Sequence, residues 1–279
     1  MFHVRAMRVD DFPFAVQLAN TMNWNMAEED FEFMASLESQ GNFIALDDGK
    51  PIGIATCISF GTVSWFGNLI VKEQYRSKGV GSLLVKHAID YLHSKGTKAI
   101  GLYAYPQLVN FYSNLGFKQD ENFFVLRTET VNSVVAGTLP KLAKPQIRAI
   151  EKFDSRCFGG DRKKLLESII LEKGNLSFYA TKDAEIIGYV ASTVYETMAW
   201  IGPLMCKANN IDAAESLLNA VLAKLSGKTV YAALPKKEIA LAKLFFDAGF
   251  KEDFSVVRMF FGEVPVKNCI YLAESLERG

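Results

Sequence analysis

The residues best suited to chemistry lie in one short segment, Val71-Lys72-Glu73-Gln74-Tyr75-Arg76-Ser77-Lys78-Gly79-Val80-Gly81-Ser82. An apolar strand is predicted to end at its start, and an amphipathic helix is predicted to begin near Gly79. The first N–H groups of a helix lack partners within the helix, and the helix dipole adds partial positive charge there. Glycines at 79 and 81 let a phosphate approach the backbone, and Arg76 and Lys78 can neutralise it. The spacing Arg-x-x-Gly-x-Gly therefore predicts a diphosphate-binding loop. The alternative is an ordinary strand-to-helix turn with a solvated basic loop.

A second motif follows downstream, Phe111-Tyr112-Ser113-Asn114-Leu115-Gly116-Phe117. Together the two motifs resemble the coenzyme A-binding segments of the GNAT acetyltransferase superfamily, over roughly residues 3–127. The resemblance implies acetyl-CoA as the acyl donor, with its pyrophosphate held by Arg76, Ser77, Lys78, Gly79, Val80, Gly81 and Ser82. It also implies that the preceding strand parts from its neighbour, so that Leu69, Ile70 and Val71 hydrogen-bond the pantetheine arm.

The resemblance gives Tyr112 the role of the acid that protonates the departing CoA thiolate. A phenol has a pKa of about 10 and is protonated at neutral pH. The alternative is that Tyr112 is only a core residue beside Phe111. Many members of the superfamily carry an asparagine seven residues before this tyrosine, where the present chain has Tyr105. Asn110 is the candidate replacement for that pantetheine contact.

The proton acceptor for the substrate amine is not visible in the sequence. An alkyl amine with a pKa of about 10 is protonated at neutral pH and must lose a proton before it attacks. The superfamily often uses a glutamate on the strand before the loop, but residues 62–71 contain no carboxylate. Glu73 lies beyond that strand. Water held by Ser64 or Asn68 is one alternative, and an acceptor less basic than an alkyl amine is another.

An internal repeat sets the predicted architecture, because residues 41–127 resemble residues 174–258. Phe43-Ile44-Ala45 matches Phe178-Tyr179-Ala180, and Gly116-Phe117-Lys118 matches Gly249-Phe250-Lys251. Each copy reads as two helices, three strands, a helix, a strand, a helix and a strand. The predicted fold is α/β, with two tandem GNAT-like domains that each contain a mixed, mostly antiparallel sheet flanked by helices. The predicted bounds are 1–130 for the catalytic domain, 131–145 for a linker and 146–279 for a diverged domain.

The second copy lacks the residues that make the first copy a candidate enzyme. Asn210, Ala213 and Glu215 stand where the first copy has Arg76, Gly79 and Gly81, and Phe245 stands in place of Tyr112. Asp212 and Glu215 also have the spacing of a capping box, which would occupy the N–H groups that a phosphate needs. We therefore expect the second copy to be non-catalytic, with either a structural or a substrate-binding role.

Six residues are candidates for the acceptor site. Trp24 and Asn25 lie between the two opening helices, a connection that borders the acceptor site in the superfamily. Tyr103 and Tyr105 lie on or next to a central strand, where aromatic residues are also common core residues. Asp161 and Arg162 belong to a stretch that resembles one in tandem acetyltransferases. They are candidates to bind a polar substrate, or else a helix cap and a surface charge.

Composition excludes several other classes of protein. The chain has 279 residues, with 31 Lys plus Arg and 31 Asp plus Glu, and this balance gives no electrostatic basis for nucleic-acid binding. Four scattered cysteines and three histidines predict neither a metal site nor a disulfide framework. Apolar runs long enough to span a bilayer, and the apolar core of a signal peptide, are missing from the sequence. We expect a soluble cytoplasmic protein without nucleic-acid, membrane or metal partners, and the sequence leaves its oligomeric state open.

The function predicted from these features is direct acetyl transfer from acetyl-CoA to the amine of a small metabolite. One alternative keeps the fold but changes the acyl group, or uses a hydroxyl or thiol acceptor. Another is a non-catalytic protein that senses acyl-CoA. A nicotinamide-dependent dehydrogenase is disfavoured, because the glycine spacing differs from Gly-x-Gly-x-x-Gly.

Overall fold

The computed structural model describes residues 1–132, 134, 137–265 and 269–279. The predicted linker at 131–145 therefore lies partly outside the described residues. Among those residues, no helix has the length and apolar character needed to cross a bilayer.

The first copy contains the elements that the sequence predicts. One further strand, which the sequence analysis did not predict, precedes them. The elements are β1 (Phe2–Ala6), α1 (Phe12–Asn20), α2 (Glu28–Leu37), β2 (Asn42–Asp47), β3 (Lys50–Phe60), β4 (Val63–Val71), α3 (Val80–Ser94), β5 (Ala99–Ala104), α4 (Val109–Ser113) and β6 (Lys118–Thr128). The β2–β3 hairpin turns at Asp48 and Gly49, whose φ angles of 46° and 80° are those of a tight type I′ turn.

The second copy repeats this order. Its elements are α5 (Ile147–Phe158), α6 (Lys163–Ile170), β7 (Leu176–Lys182), β8 (Glu185–Val194), β9 (Met198–Lys207), α7 (Ile211–Leu222), β10 (Thr229–Pro235), α8 (Ile239–Asp247), β11 (Lys251–Gly262) and a further strand, β12 (Cys269–Leu272). The glycines of the repeated Gly-Phe-Lys motif both have positive φ, 95° at Gly116 and 93° at Gly249. The repeat in sequence is thus a repeat in backbone conformation.

The strands form one continuous sheet in the order β1-β2-β3-β4-β5-β11-β6-β10-β9-β8-β7, with β12 paired to β9. Most neighbours are antiparallel, while β4 runs parallel to β5 and β9 parallel to β10. This mixed sheet flanked by helices confirms the predicted fold class. The two copies do not keep separate sheets, however. The last repeated strand of each copy is exchanged, since β11 pairs with β5 and β6 pairs with β10.

The exchange gives the molecule a shared apolar core. One face of the first copy packs α3 and α4 against the sheet through side chains such as Leu84, Phe66 and Tyr112. The opposite face holds Trp65 and Phe123 together with Tyr189 and Tyr271 of the second copy. The two copies are therefore a single packed unit.

Two cysteines are paired. Cys157 of α5 and Cys269 of β12 form a disulfide with a Cα–Cα distance of 5.8 Å, while Cys57 and Cys206 are free and buried. The expectation of four unpaired cysteines is therefore wrong. Spacing along the chain could not reveal the pair, because the two residues are 112 positions apart and are brought together by β12.

Strand β12 fills a gap between β9 and β10. It pairs antiparallel with residues 204–207 of β9, and the N–H of the next residue, Ala273, donates to the carbonyl oxygen of Ala233 on β10 at 2.9 Å. Gly202 of β9 makes room for this segment. A Cβ at position 202 would lie 1.9 Å from the carbonyl oxygen of Ala273.

We expect Gly202→Ala to destabilise the fold by about 1–3 kcal/mol, because the added methyl group overlaps backbone that cannot move aside cheaply. Chemical unfolding with matched m-values measures the change. Gly137→Ala is the control, since a Cβ at 137 has no described atom within 4 Å. Equal stability of the two variants would contradict the close contact.

Candidate active site

The centre of the site is the place where β4 leaves β5. The two strands pair only at Val63–Ala99, Ser64–Ile100 and Trp65–Gly101. Gly101 allows this close approach, because a Cβ there would lie 2.3 Å from the Trp65 ring. Beyond Trp65, the predicted pantetheine residues Leu69, Ile70 and Val71 continue on β4 without pairing to β5. Their backbone groups therefore need a partner on that edge.

A bulge marks the point of separation. Asn68 has a φ of 49°, and the register between β3 and β4 shifts between the pairs Ile54–Ile70 and Thr56–Gly67. The Asn68 side-chain amide donates to Thr56 Oγ1 at 3.2 Å, which holds the bulged residue in place. Bulges of this kind redirect a strand and are common beside active sites.

Beyond Trp65 and Gly101, β4 and β5 leave a gap between them. The glycine-rich loop connects β4 to α3 at the end of this gap. Gly79 precedes the helix with a φ of 85°, and the first N–H donor bonded back to it is Leu83, at 3.0 Å from the Gly79 oxygen. The N–H groups of Val80, Gly81 and Ser82 therefore lie at the helix start, where intrahelical partners are missing. Arg76, Ser77 and Lys78 are exposed, and Arg76 Nε donates to the Val71 oxygen at 3.2 Å. These positions fit the predicted pyrophosphate cradle.

Tyr112 stands beside the same loop. A Cβ at Gly81 would lie 3.4 Å from Phe111, so the start of α3 contacts the residue preceding Tyr112. The Tyr112 ring packs against Phe111 and Phe117 at 5.0 and 5.8 Å. Burial raises the pKa of Tyr112 well above its usual value, so the phenol stays protonated throughout the neutral range. Asn110 is exposed on the same helix, and the ring of Tyr105 lies 5.5 Å from that of Phe254.

The second copy differs from the first in the loop between strand and helix and in the strand edge beside it. Its helix α7 begins only four residues after β9 ends, with Asn210 as the preceding residue, whereas α3 begins nine residues after β4 ends. The residues matched to the phosphate loop therefore run from the residue before α7, Asn210, into the helix at Ala213 and Glu215. The helix start has no side-chain cap hydrogen bond, so the predicted capping box is wrong. The β9 edge that corresponds to Leu69–Val71 is occupied by β12.

The face of β4 opposite Tyr112 is covered by the segment Glu274–Gly279. Trp65 Nε1 donates to the Leu276 oxygen at 3.3 Å. A Cβ at Gly67 would lie 2.7 Å from Cβ of Glu277. The Tyr103 ring lies 5.1 Å from Trp65, and the hydroxyl groups of Tyr103 and Tyr271 are 3.2 Å apart. This face of the sheet points away from α3 and α4.

The remaining acceptor candidates are placed as follows. Trp24 is partly buried against the cluster that contains Ile70, and Asn25 is exposed beside it. Asp161 accepts from the Lys163 N–H at 2.9 Å, which is a helix-capping contact. Arg162 is not a surface charge: its side chain is fully buried, it forms an ion pair with Asp154, and its Nη1 donates to the Gly279 oxygen at 2.8 Å.

Sequence reasoning missed Glu274, Glu277 and Arg278. Arg278 donates to Glu274 at 2.8 and 3.1 Å and to Glu277 at 2.6 Å, which makes a cluster of two carboxylates and one guanidinium beside β4. Nothing in the local sequence points to the gap, because these residues reach it only through the path of β12. Nowhere in the described ranges do three or more His, Cys, Asp or Glu residues come together in a way that could hold a metal ion.

Comparisons with known proteins agree with this geometry. Residues 4–117 match the family model described as "Acetyltransferase (GNAT) family", and residues 150–270 match one described as "Acetyltransferase (GNAT) domain". The uncharacterized N-acetyltransferase YitH of Bacillus subtilis is 23% identical over 238 residues, 83% of each chain. The uncharacterized N-acetyltransferase MJ1207 of Methanocaldococcus jannaschii is 26% identical over 105 residues, 33% of this chain and 45% of that one. A putative acetyltransferase from Pyrococcus horikoshii has a similar structure, with a TM-score of 0.81 and 20% identity over 100% of this chain and 96% of that one.

Both halves of the chain thus match models of one enzyme family, and the site has that family's split strands and glycine-rich loop. The chain belongs to the GNAT acetyltransferases and is a tandem protein with two GNAT domains. It is an acyltransferase of the N-acetyltransferase type.

The loop assignment can be tested with a matched pair of glycines. Gly79 and Gly49 both have left-handed φ angles, and a Cβ at either position has no described atom within 4 Å. Alanine at either site costs a similar backbone strain of about 1–2 kcal/mol. We expect only Gly79→Ala to weaken acetyl-CoA binding, by about tenfold or more, which corresponds to about 1.4 kcal/mol. Calorimetric titration measures both variants, and equal affinities would contradict the cradle.

The role of Tyr112 is tested by Tyr112→Phe. We expect kcat to fall about 100-fold, the low end for loss of a general acid, with acetyl-CoA affinity unchanged. Since burial raises the pKa of Tyr112, the wild-type rate should not fall between pH 8 and pH 10 through its ionisation. Phe245→Tyr in the second copy is the control and should leave the rate as it is. Unchanged turnover in Tyr112→Phe would remove the residue from the mechanism.

Proposed function

We propose that the first copy transfers an acetyl group from acetyl-CoA directly to the amine of a small metabolite. The observation that carries this proposal is the separation of β4 from β5 directly in line with the glycine-rich loop. An extended donor bound by its pyrophosphate at α3 can run along Leu69–Val71 and satisfy the free strand edge. Its thioester then comes to the bulge at Gly67 and Asn68.

The two faces of the sheet supply different parts of the reaction. Tyr112 lies on the face of α3 and α4, where the CoA sulfur leaves, and donates a proton to it. The acceptor approaches from the opposite face, along Trp65 and Tyr103. The Glu274–Arg278–Glu277 cluster on that face has an excess of one negative charge, which favours a cationic amine over an anionic acceptor. Trp24 and Asn25 border the same route.

The second copy has a structural role in this proposal. Its β9 edge is occupied by β12, its helix α7 begins four residues after β9, and it contributes β11 and the segment Glu274–Gly279 to the first copy. Direct transfer in a ternary complex follows, because both substrates must meet at one gap. We further propose that the enzyme acts as a cytoplasmic protein on a small molecule, without a nucleic-acid or membrane partner.

An acyl-CoA sensor without turnover is the second candidate, favoured by how closely Glu274–Gly279 covers the acceptor face. It predicts acetyl-CoA binding without product from any acceptor.

Titration with acetyl-CoA is expected to give one site per chain, because β12 occupies the corresponding edge of the second copy. The same protein is then screened with arylalkylamines, polyamines and free amino acids, with thiol release as the readout. Turnover of an amine supports the enzyme. Binding without turnover supports the sensor, and two sites per chain would contradict the structural role of the second copy.

A further inference from the structure

The reaction needs a group that takes a proton from the acceptor amine, and strand β4 carries no carboxylate. We propose that Glu277, supplied by the segment that follows β12, is this proton acceptor. The inference rests on the proposed function and names a residue of the same site. It depends on where the segment Glu274–Gly279 lies relative to the gap between β4 and β5.

Glu277 is in direct contact with β4 at the bulge. A Cβ on Gly67 would lie 2.7 Å from Cβ, 2.8 Å from Cα and 3.1 Å from the carbonyl oxygen of Glu277. Gly67 is two residues past the last pair between β4 and β5, on the same face as Trp65. A glycine at 67 therefore lets the backbone of Glu277 come closer to the strand than any other residue would allow.

The segment is held on both sides of Glu277. Upstream, Trp65 Nε1 donates to the Leu276 oxygen, and downstream the buried Arg162 donates to the Gly279 oxygen. Arg162 is itself fixed by Asp154 through contacts of 3.1 and 2.6 Å. These contacts tie the segment to the first copy through Trp65 and to the second copy through Arg162. The backbone on either side of Glu277 is thus placed by fixed elements of the fold.

Glu277 belongs to a cluster of charged side chains beside β4. Arg278 Nη1 contacts Glu277 Oε1 at 2.6 Å, and the same guanidinium contacts Glu274. Tyr195, between β8 and β9, interacts with Arg278, Glu274 and Glu277 and with Asp30 of α2, and Tyr271 of β12 interacts with Glu274. The Glu277 side chain remains 25% exposed, so a proton that it accepts can pass to water.

Four other polar side chains in the first copy are either engaged in other contacts or lie in the loop beyond β4. Glu38 accepts from the Tyr91 hydroxyl and the Ser59 N–H, away from the bulge. Glu73 is exposed in the loop after β4. Ser64 is hydrogen-bonded to Thr97 at 2.6 Å, and the Asn68 amide to Thr56. In these contacts, none of the four groups brings a carboxylate to the bulge of β4.

The proton balance closes with Glu277 and Tyr112 on opposite faces. The substrate ammonium gives one proton to Glu277, which passes it to solvent. The neutral nitrogen bonds to the thioester carbon, and the C–S bond breaks with its electron pair going to sulfur. Tyr112 protonates the thiolate and regains a proton, through water, from the nitrogen that becomes an amide. The products are the amide, the CoA thiol and one released proton.

The test compares Glu277→Gln with wild type on two probes, the alkylamine tryptamine and the arylamine p-anisidine. Tryptamine is cationic at pH 7 and needs a base, whereas the arylamine is already neutral. We expect kcat/KM for tryptamine to fall about 100-fold, and for p-anisidine less than about tenfold. The tryptamine defect should shrink as the pH rises toward 10, because the amine then loses its proton unaided.

Glu172→Gln, at an exposed carboxylate beyond α6, is the matched control and should behave as wild type. Glu277→Asp should recover part of the tryptamine rate, since it keeps the carboxylate. Equal losses on both probes with a flat pH dependence would overturn the assignment and leave Glu277 a structural contact. Absence of turnover by wild type on either probe and throughout the amine screen would instead overturn the proposed function. Calorimetric acetyl-CoA binding by each variant shows that its fold is intact.

Discussion

A strand that leaves its neighbour exposes a row of backbone N–H and C=O groups, and a buried backbone cannot leave them unpaired. Both copies of this protein contain such a strand, β4 in the first and β9 in the second. The separation begins after Trp65 in β4 and after Ile201 in β9, one residue further along in the aligned repeat. The rest of the molecule is arranged around how each of these two edges is completed.

In the second copy the edge is completed by the chain itself. Strand β12 pairs with residues 204–207, and the disulfide from Cys269 to Cys157 fixes that strand to α5. Because β12 occupies this edge of β9, the second copy has no matching free edge beside a phosphate loop. Helix α7 begins four residues after β9 ends. In the first copy the edge of Leu69–Val71 stays available, and the loop at 76–82 is kept. The same backbone problem thus has different solutions in the two copies: β12 covers the edge of β9, whereas Leu69–Val71 of β4 do not pair with β5.

The sequence predicted those features of the fold and the site that depend on patterns within short segments of the chain. The turn at Asp48–Gly49, the periodicity of α3 and the two motifs around Gly79 and Tyr112 are properties of short segments, and the structure has the elements they imply. The repeat also predicted two copies of one fold. It could not predict the exchange of β6 and β11, because a repeat gives the order of strands along the chain but not which strands pair. The capping box of α7 failed for a related reason: the helix starts a turn earlier than the alignment of its interior suggests.

The proposed acceptor side was the least predictable part, since the residues there come from distant segments. Trp65 and Tyr103 come from the first copy, Arg162 from the start of α6, and Glu277 from a segment more than 200 residues from β4. The sequence shows that β4 has no carboxylate, but it does not show which residue elsewhere in the chain could take its place. Gly67 explains the arrangement physically: a side chain at this position would exclude the Glu277 backbone, whereas glycine leaves the space that the C-terminal segment fills. The second copy therefore contributes to the site through the strand that closes its own edge, because the path of β12 continues directly to the bulge of β4.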